Sequence, residues 1–249
     1  MITDCHTHFG IPWVDRDGDN PENWLKIPEM YGVKKFYLYG HYNIYREKSV
    51  QADNDRLARI TKKFPETFTP VASVWPQAEH DSVTEVIRCI EELNFKFLKF
   101  HPWIQGFSLA HPTMKKICDI AGQYKVPIIF HDGTPCYSLP EQIAGLARQF
   151  PKTTFILGHG GILWAWRSAL EAMRQPNIWT MLCGSTMLAF EMFCEKTDTD
   201  RLLWGSDYGF NLTDCVGYRL HELTEANIPA PIIEKILTVN PTRLLEMSH

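Results

Sequence analysis

Eight short apolar runs, rich in β-branched and aromatic residues, recur along the chain and constrain its fold more than any other feature. Each run ends at a polar residue or a turn, a pattern typical of buried strands. Between the runs lie amphipathic stretches with helical spacing, for example Val83, Val86 and Ile90 with charged residues opposite. We therefore predict strands at residues 2–8, 35–39, 69–75, 95–101, 126–131, 153–159, 178–183 and 202–207.

Strands that alternate with helices predict an α/β fold with a parallel sheet. Eight such units in 249 residues predict a single domain over residues 1–249, a closed (β/α)8 TIM barrel, whose usual length is about 250 residues. An open doubly wound sheet is the main alternative, but the G-x-G-x-x-G motif of its nucleotide-binding form does not follow the first run. Residues 11–29 show no helical period and follow the first strand, so we predict a lid loop there.

Composition excludes several classes of partner. The formal net charge of −4 argues against a nucleic-acid backbone or an anionic membrane, and no apolar run approaches the roughly 18 residues of a membrane-spanning helix. The seven cysteines include no C-x-x-C pair, which favours reduced thiols and a cytoplasmic location. The first strand begins at residue 2, so we expect no signal peptide. The sequence leaves a homo-oligomer open.

Polar residues stand at the ends of several predicted strands, namely His6, His8, His131, His159 and Asp207. In a TIM barrel the carboxyl ends of all strands meet at one face, where the active site lies. A single histidine after a strand is ordinary. Its repetition at several strand ends predicts a set of metal ligands around the barrel mouth.

His6 and His8 form the centre of this predicted site. Strand side chains alternate between faces, so the two rings point the same way, about 6.5–7 Å apart along the strand, if Cys5 and Thr7 point outward. One ion can then be bound by both rings. Neutral imidazoles carry no charge to offset a divalent cation, so we expect a carboxylate among the ligands, and Asp207 is the candidate.

The ordered motifs of the chain resemble a known family. They are Asp4-Cys5-His6-Thr7-His8, the Phe-x-Lys-x-His-Pro stretch from Phe97 to Pro102, a strand-end His131, His159-Gly160-Gly161, Gly205-Ser206-Asp207-Tyr208, and a closing stretch with Asn240-Pro241 and Leu244-Leu245. In this order they resemble the amidohydrolase-related (amidohydrolase 2) branch of the amidohydrolase superfamily, which holds metal-dependent hydrolases and decarboxylases. The resemblance implies one divalent metal ion, with Zn²⁺ as the first candidate and Mn²⁺ as the second.

The predicted metal ligands are His6, His8, His131 and Asp207, and the predicted catalytic residues are His159 and Asp207. The resemblance places the histidine of the sixth strand beside the metal, either as a further ligand or as a proton-transfer group. A structural alternative for this histidine is a hydrogen bond to the glycine turn that follows it. Asp207 could instead cap a following helix.

Lys99 lies on one face of the predicted fourth strand together with His101. In binuclear relatives a lysine at this place is carboxylated and bridges two metal ions. Three interpretations stay open: a bridging carbamate, a cationic anchor for the substrate, and a barrel-interior lysine paired with a carboxylate. We expect one metal ion and an uncarboxylated Lys99, with Lys99 and His101 contacting the substrate.

Further residues are predicted around the site. Asp4, two residues before His6, is expected to lie deeper in the barrel and to orient the ligands through hydrogen bonds. Four residues that follow or end strands could line the pocket and contact the substrate, although ordinary packing explains each of them equally well: His41, Trp75, Trp103 and Tyr208.

Together these residues favour a metal-dependent hydrolase of a small-molecule lactone, amide or ester. A bound ion would lower the pKa of a coordinated water to about 7, and Asp207 or His159 would carry the proton. The first alternative is a non-oxidative decarboxylase of an aromatic or enoic acid, which similar enzymes of this branch imply. The second alternative is a barrel that binds a small ligand without catalysis.

Overall fold

A computed structural model of the protein describes residues 1–10, 20–209 and 215–248. Eight parallel strands form one sheet in the order of the sequence. Their bounds are β1 Ile2–Phe9, β2 Val33–Gly40, β3 Phe68–Ala72, β4 Phe97–Phe100, β5 Ile128–Phe130, β6 Phe155–Leu157, β7 Ile178–Leu182 and β8 Leu202–Trp204. With helices between the strands, this confirms the predicted single-domain (β/α)8 TIM barrel.

Helices alternate with the strands. Within the described residues they are α1 Pro21–Met30, α2 Tyr42–Tyr45, α3 Val50–Lys63, α4 His80–Glu91, α5 Pro102–Gln105, α6 Pro112–Gln123, α7 Pro140–Gln149, α8 Trp166–Ala172, α9 Met187–Lys196, α10 Cys215–Glu225, α11 Ala230–Glu234 and α12 Asn240–Met247. A π-helical segment, Lys235–Val239, joins the last two. None of the helices in the described part of the chain has both the length and the apolar character needed to cross a bilayer.

Two apolar layers hold the barrel together. In the interior, Tyr37 stacks on Phe97 with ring centroids 4.5 Å apart, and Leu244 of α12 belongs to the same buried cluster. The Tyr37 hydroxyl also donates to the Pro241 carbonyl at 2.8 Å, which attaches the last helix to the barrel. A larger cluster packs the strands against the helices. Because the interior is filled, the carboxyl ends of the strands form the face available for a site.

The barrel closes where β1 meets β8. The N–H of Asp207 donates to the carbonyl of His6 at 2.9 Å, and the N–H of His8 donates to the carbonyl of Tyr208 at 2.7 Å. Thr7 and Tyr208 form an isolated parallel bridge. These hydrogen bonds attach the segment that carries Asp207 to the strand that carries both histidines, so closure itself brings three predicted ligands together.

Gly205 lies at this closure because a larger residue does not fit. A Cβ at this position would lie 2.4 Å from the Cβ of His6. We expect Gly205→Ala to lower the free energy of unfolding by about 1–3 kcal/mol through overpacking, measured by chemical denaturation. Gly145→Ala on α7, where the nearest atom is 3.9 Å away, is the matched control and should raise stability by about 0.5–1 kcal/mol. Equal stability of the two variants would rule out the close approach.

Several strands end earlier than predicted. β4 ends at Phe100, β5 at Phe130, β6 at Leu157 and β8 at Trp204. The polar residues therefore follow the paired part of each strand by one to three residues: His101, His131, His159 and Asp207. Outside the ladder the backbone can turn more freely, and Asp207 has a positive φ of 62°. Strand alternation therefore does not fix the direction of these side chains.

The predicted lid at residues 11–29 is partly wrong, because its second half is the helix α1. The side chain of Asn20 caps this helix by accepting a backbone N–H in the first turn. The buried residues of α1, Trp24 and Pro28, lie four residues apart on one face, but this stripe is a single turn long and includes a proline, which usually interrupts a helix. Residues 11–19 lie outside the described part of the chain, and a lid there stays a prediction.

Candidate active site

Three possible ligand atoms converge at the barrel mouth. Asp207 Oδ1 lies 3.5 Å from His6 Nε2 and 3.3 Å from His8 Nε2. One donor atom from each residue lies within 4.8 Å of the other two. Both histidines are buried, whereas the Asp207 side chain is 36% exposed. Three ligand atoms at this spacing can hold one divalent ion.

Hydrogen bonds determine which nitrogen of His6 is available. Nδ1 lies 2.9 Å from the carbonyl oxygen of Gly158, and since a carbonyl only accepts, Nδ1 carries the proton. The lone pair of Nε2 therefore faces the site, where the Lys99 ammonium donates to it at 3.1 Å. Asp207 Oδ1 has no hydrogen-bond partner among the described residues. A ring lone pair beside an unsatisfied carboxylate oxygen suits a cation, so the residues present fit a divalent metal.

The two histidine rings of β1 lie closer together than the strand geometry predicts. Their centroids are 5.3 Å apart, whereas regular positions two residues apart are about 6.5–7 Å apart. β1 is irregular here, because Asp4 pairs with Phe36 and Thr7 pairs with Leu38, which inserts one extra residue on β1. Strict alternation is lost at such a bulge. As a result Cys5, whose outward orientation is a condition of the alternation argument, packs in the barrel interior.

His159 lies beside His6, with ring centroids 4.5 Å apart. Its Nδ1 lies 3.3 Å from the carbonyl oxygen of Cys183 and so carries the proton, while its buried Nε2 has no hydrogen-bond partner among the described residues. The backbone N–H of His159 donates to Oδ1 of Asp132 at 2.7 Å, and that of Gly161 donates to Oδ2 at 2.6 Å. The Asp132 carboxylate therefore positions the loop that carries His159.

The amide variant of Asp132 tests this positioning. Asp132→Asn replaces one of two buried acceptor oxygens with an NH₂ group that faces a backbone N–H. We expect the free energy of unfolding of the metal-free protein to fall by about 2 kcal/mol, measured by chemical denaturation. The matched control is Asp119→Asn on α6, where the carboxylate accepts from Gln123 in an exposed pair, and it should change stability by less than about 0.5 kcal/mol. Equal losses would show that Asp132 does not hold the loop.

His131 lies at the same face but pairs with other rings. It stacks on His101 with centroids 3.7 Å apart and planes 13° apart, and its centroid lies 4.4 Å from that of His159. The Ser138 hydroxyl donates to the His131 carbonyl at 2.6 Å. Among the described residues, the compact ligand group around Asp207 does not include His131. Metal ligation by His131 therefore stays a prediction.

Two of the predicted substrate contacts are buried beside β1. The ring of His41 lies 5.0 Å from that of His8, and His41 Nε2 lies 3.1 Å from the Gly209 carbonyl. The Tyr208 hydroxyl donates to the Trp24 carbonyl at 3.0 Å, which directs the phenol toward α1. His41 thus packs against His8, and Tyr208 is directed toward α1. A substrate contact for either residue stays a prediction.

The two predicted tryptophans differ in position. Trp103 is 58% exposed and its ring lies 6.3 Å from that of His101, so it stands at the rim of the site. Trp75 donates its Nε1–H to the Asn43 carbonyl at 2.8 Å and lines a different cavity together with Glu47. The structure places Trp103, and not Trp75, beside His101.

Asp4 connects β1 to the loop that carries Asp207. Its Oδ1 accepts the N–H of His6 at 3.1 Å and the N–H of Ser206 at 3.0 Å, and its Oδ2 accepts the Ser206 hydroxyl at 2.5 Å. Complete burial raises the pKa of Asp4 to about 7. Asp4 therefore orients two segments that carry candidate ligands, and its effect on metal binding stays a prediction.

Burial keeps the histidines of the site neutral. It lowers the pKa of His6, His8 and His131 well below the ordinary value and that of His159 to about 3. Neutral imidazole is the form that binds a metal ion. Burial also lowers the pKa of Lys99 to about 8, so its ammonium form still predominates at neutral pH.

Comparison with known proteins identifies the family. The Amidohydrolase family model matches residues 3–247, nearly the whole chain. The chain belongs to the Amidohydrolase family. The predicted resemblance is thereby confirmed, and this family is metal-dependent.

Relatives of this chain are enzymes. It is 25% identical over 195 residues to 2-keto-4-carboxy-3-hexenedioate hydratase of Sphingobium sp.. The aligned region covers 63% of this chain and 57% of that protein. The match therefore spans less than two thirds of the relative's length. The structure is also similar to a dihydroxybenzoic acid decarboxylase from Polaromonas sp. with bound manganese and an inhibitor, 2-nitroresorcinol, at a TM-score of 0.76 and 16% identity over 100% of this chain and 97% of that one.

A second solved structure with the same fold is the 4-oxalomesaconate hydratase of Rhodopseudomonas palustris. Its TM-score is 0.74 at 16% identity, over 99% of this chain and 96% of that one. At such identities the two structures show a shared fold. The sequence motifs alone predict a hydrolase or a decarboxylase, and they do not predict a hydratase.

The sequence prediction misses two groups at this site. Asp132 directly follows His131, and Cys183 ends the seventh predicted strand. The sulfur of Cys183 lies within 4.8 Å of a ring nitrogen of both His6 and His159. The strand-end rule that selects the histidines also applies to Cys183, so the sequence did contain this signal.

Proposed function

We propose that the protein is a metal-dependent hydrolase that acts on a small-molecule lactone, amide or ester. The observation that carries the proposal is the convergence of His6 Nε2, His8 Nε2 and Asp207 Oδ1 at the barrel mouth. Two nitrogen ligands and one anionic oxygen ligand suit Zn²⁺ or Mn²⁺. His131 is the proposed fourth ligand, which would give three imidazoles and one carboxylate.

Asp207 is proposed to hold the ion and to accept the proton of the attacking water. A bound divalent ion lowers the pKa of a coordinated water to about 7 and polarises the substrate carbonyl. The Asp207 side chain is 36% exposed while its Oδ1 lies against both histidines, so the carboxylate reaches the ligands and the open mouth together. A positioned base of this kind contributes about 10²–10⁴ in rate.

His159 is proposed to pass the proton to the leaving group. Because the Cys183 carbonyl holds the proton on Nδ1, a transferred proton enters and leaves at Nε2. His159 is only 4% exposed, so this nitrogen is protected from bulk water. The Asp132 carboxylate keeps the backbone of His159 in place during the transfer.

Lys99 is proposed to stay uncarboxylated, with one ion per chain. Its ammonium donates to His6 Nε2 and lies 5.1 Å from the centre of the Tyr39 ring. If His6 Nε2 were a metal ligand, the Lys99 ammonium would be free to bind an anionic group of the substrate beside His101. The manganese in the Polaromonas relative supports Mn²⁺ as a candidate beside Zn²⁺.

A non-oxidative decarboxylase of an aromatic or enoic acid is the second candidate. The similarity to the dihydroxybenzoic acid decarboxylase supports it, and so does His159, because a proton taken up at its buried Nε2 during the reaction could be delivered to carbon as carbon dioxide leaves. The hydratase relative adds water addition to a C=C bond as a third reaction to test.

Product analysis separates these reactions. We expect the metal-loaded protein to convert a member of a panel of lactones, amides and esters into an acid that carries one oxygen from heavy-oxygen water, detected by mass spectrometry. Carbon dioxide release from aromatic or enoic acids would identify the decarboxylase, and hydration of an unsaturated keto acid would identify the hydratase. Asp207→Asn is the negative control. Ligand binding without turnover in every panel would leave only the non-catalytic barrel.

We further propose a cytoplasmic location and a small molecule as the partner. All seven cysteines are free thiols, which is the state that a reducing compartment maintains.

A further inference from the structure

We infer that the site offers a second, mutually exclusive position for the metal ion, formed by His6, His159 and Cys183, which a thiophilic ion occupies. A ring nitrogen of each histidine and the sulfur of Cys183 lie within 4.8 Å of one another. We name this group the sulfur position, and the group of His6, His8 and Asp207 the oxygen position. The inference rests on the proposed function only in that the oxygen position is the proposed catalytic one.

His159 independently indicates a ligand at the sulfur position. Its side chain is 4% exposed, and Nε2 has no hydrogen-bond partner among the described residues. Nδ1 is engaged by the Cys183 carbonyl at 3.3 Å, so the ring cannot satisfy Nε2 by changing its tautomer without losing that bond. A buried nitrogen left without a partner costs free energy, and a metal ion would satisfy it.

The two positions exclude each other because they share His6. The Gly158 carbonyl holds the proton on Nδ1 of His6, so this residue has one lone pair, on Nε2. One lone pair binds one ion. The chain therefore holds a single ion, which takes either Asp207 and His8 or Cys183 and His159 as its remaining ligands.

Ligand type decides which ion takes which position. Carboxylate oxygen suits Mn²⁺, whereas thiolate selects softer ions, of which Cd²⁺ is a convenient probe. Cys183 is a buried free thiol. When the metal–sulfur bond forms, the S–H bond breaks and the proton leaves to solvent, with no change in oxidation state.

Occupation of the sulfur position inhibits the proposed reaction. An ion held there would use the lone pair of His159, which the proposed function assigns to proton transfer, and Asp207 would not be among its ligands. A thiophilic ion therefore competes with the catalytic ion and also blocks a catalytic residue.

Competition between Cd²⁺ and Mn²⁺ tests the inference without a substrate. We expect Cd²⁺ to displace Mn²⁺ one for one, as measured by electron paramagnetic resonance of the released Mn²⁺. Cd²⁺ binding should also produce the ultraviolet thiolate-to-cadmium absorption band. Cys183→Ser should abolish the band and weaken Cd²⁺ binding by about 100-fold or more, since even loss of a ligand's hydrogen-bond partner costs 10- to 100-fold. Mn²⁺ binding should not change. Cys118→Ser, which alters another buried free thiol, should behave as the wild type.

Two further variants separate failure of the inference from failure of the proposed function. Asp207→Asn should lose Mn²⁺ but keep the cadmium–thiolate band. If wild-type protein binds Mn²⁺ through Asp207 but gives no band with Cd²⁺, the sulfur position does not exist and the proposed function stands. If the band appears while Mn²⁺ binding is independent of Asp207, the sulfur position stands and the oxygen position fails. Simultaneous binding of one Cd²⁺ and one Mn²⁺ would overturn the exclusion through His6.

Cadmium-113 NMR of the wild-type protein keeps the inference testable if Cys183→Ser fails to fold. Sulfur ligation moves the cadmium resonance strongly downfield of positions with nitrogen and oxygen ligands alone. We expect one downfield resonance, and a resonance in the nitrogen and oxygen range would overturn the sulfur position.

Discussion

Replacement of both His6 and His8 with alanine is expected to leave the purified protein without bound metal. Both rings direct a nitrogen at Asp207 Oδ1, at 3.5 and 3.3 Å, and a carboxylate alone cannot hold a divalent ion tightly in competition with water. Metal content by inductively coupled plasma mass spectrometry should fall from about one ion per chain to the background level of chelator-treated protein. Turnover should fall with it.

The matched control removes two histidines from the surface. His80 and His221 are both exposed, and the double variant His80→Ala and His221→Ala should keep the full metal content. Circular dichroism of both double variants checks that the barrel remains folded. Full metal content in the His6→Ala, His8→Ala protein would remove the proposed centre altogether.

Asp207 and His159 are expected to have separable effects. Asp207→Asn removes the anionic ligand of the oxygen position, so both the metal and the turnover should be lost. His159→Ala removes only a proton-transfer group in the Mn²⁺-loaded protein, so the metal should stay while turnover falls by about 10²–10⁴. Metal analysis and single-turnover kinetics on the same preparations measure the two effects.

Asp200→Asn is the control for loss of a carboxylate. Asp200 forms ion pairs with Lys235 and Arg243 away from the histidine cluster, so this variant should keep both metal and turnover. Equal metal loss in Asp207→Asn and His159→Ala would place His159 among the ligands of the Mn²⁺-loaded enzyme, and the assignment of His159 to proton transfer would then be wrong.

The sequence predicts the barrel well because the barrel depends on a repeated pattern. Every one of the eight predicted strands overlaps an observed strand, since buried parallel strands must be apolar wherever they occur. The strand-end rule likewise finds His6, His8 and Asp207, because the carboxyl ends of all strands share one face. Helix α1 is missed because its buried residues, Trp24 and Pro28, form a stripe of a single turn that includes a proline.

The detailed arrangement of the site could not be predicted from strand alternation. The bulge in β1 turns Cys5 inward, and His131 stacks on His101 because both lie beyond the paired part of their strands. Such orientations depend on contacts between distant segments. Cys183 is a different case, because its position at the end of β7 can be predicted from the sequence. It is missed because cysteine is common in ordinary protein cores.

Anomalous X-ray scattering from crystals of the Mn²⁺-loaded protein tests the central claim most directly, because it locates the ion without a substrate. We expect one anomalous peak per chain, bonded to His6 Nε2, His8 Nε2 and Asp207 Oδ1, with an uncarboxylated Lys99 beside it. A single peak on other residues, or two peaks bridged by a carboxylated Lys99, would contradict the account.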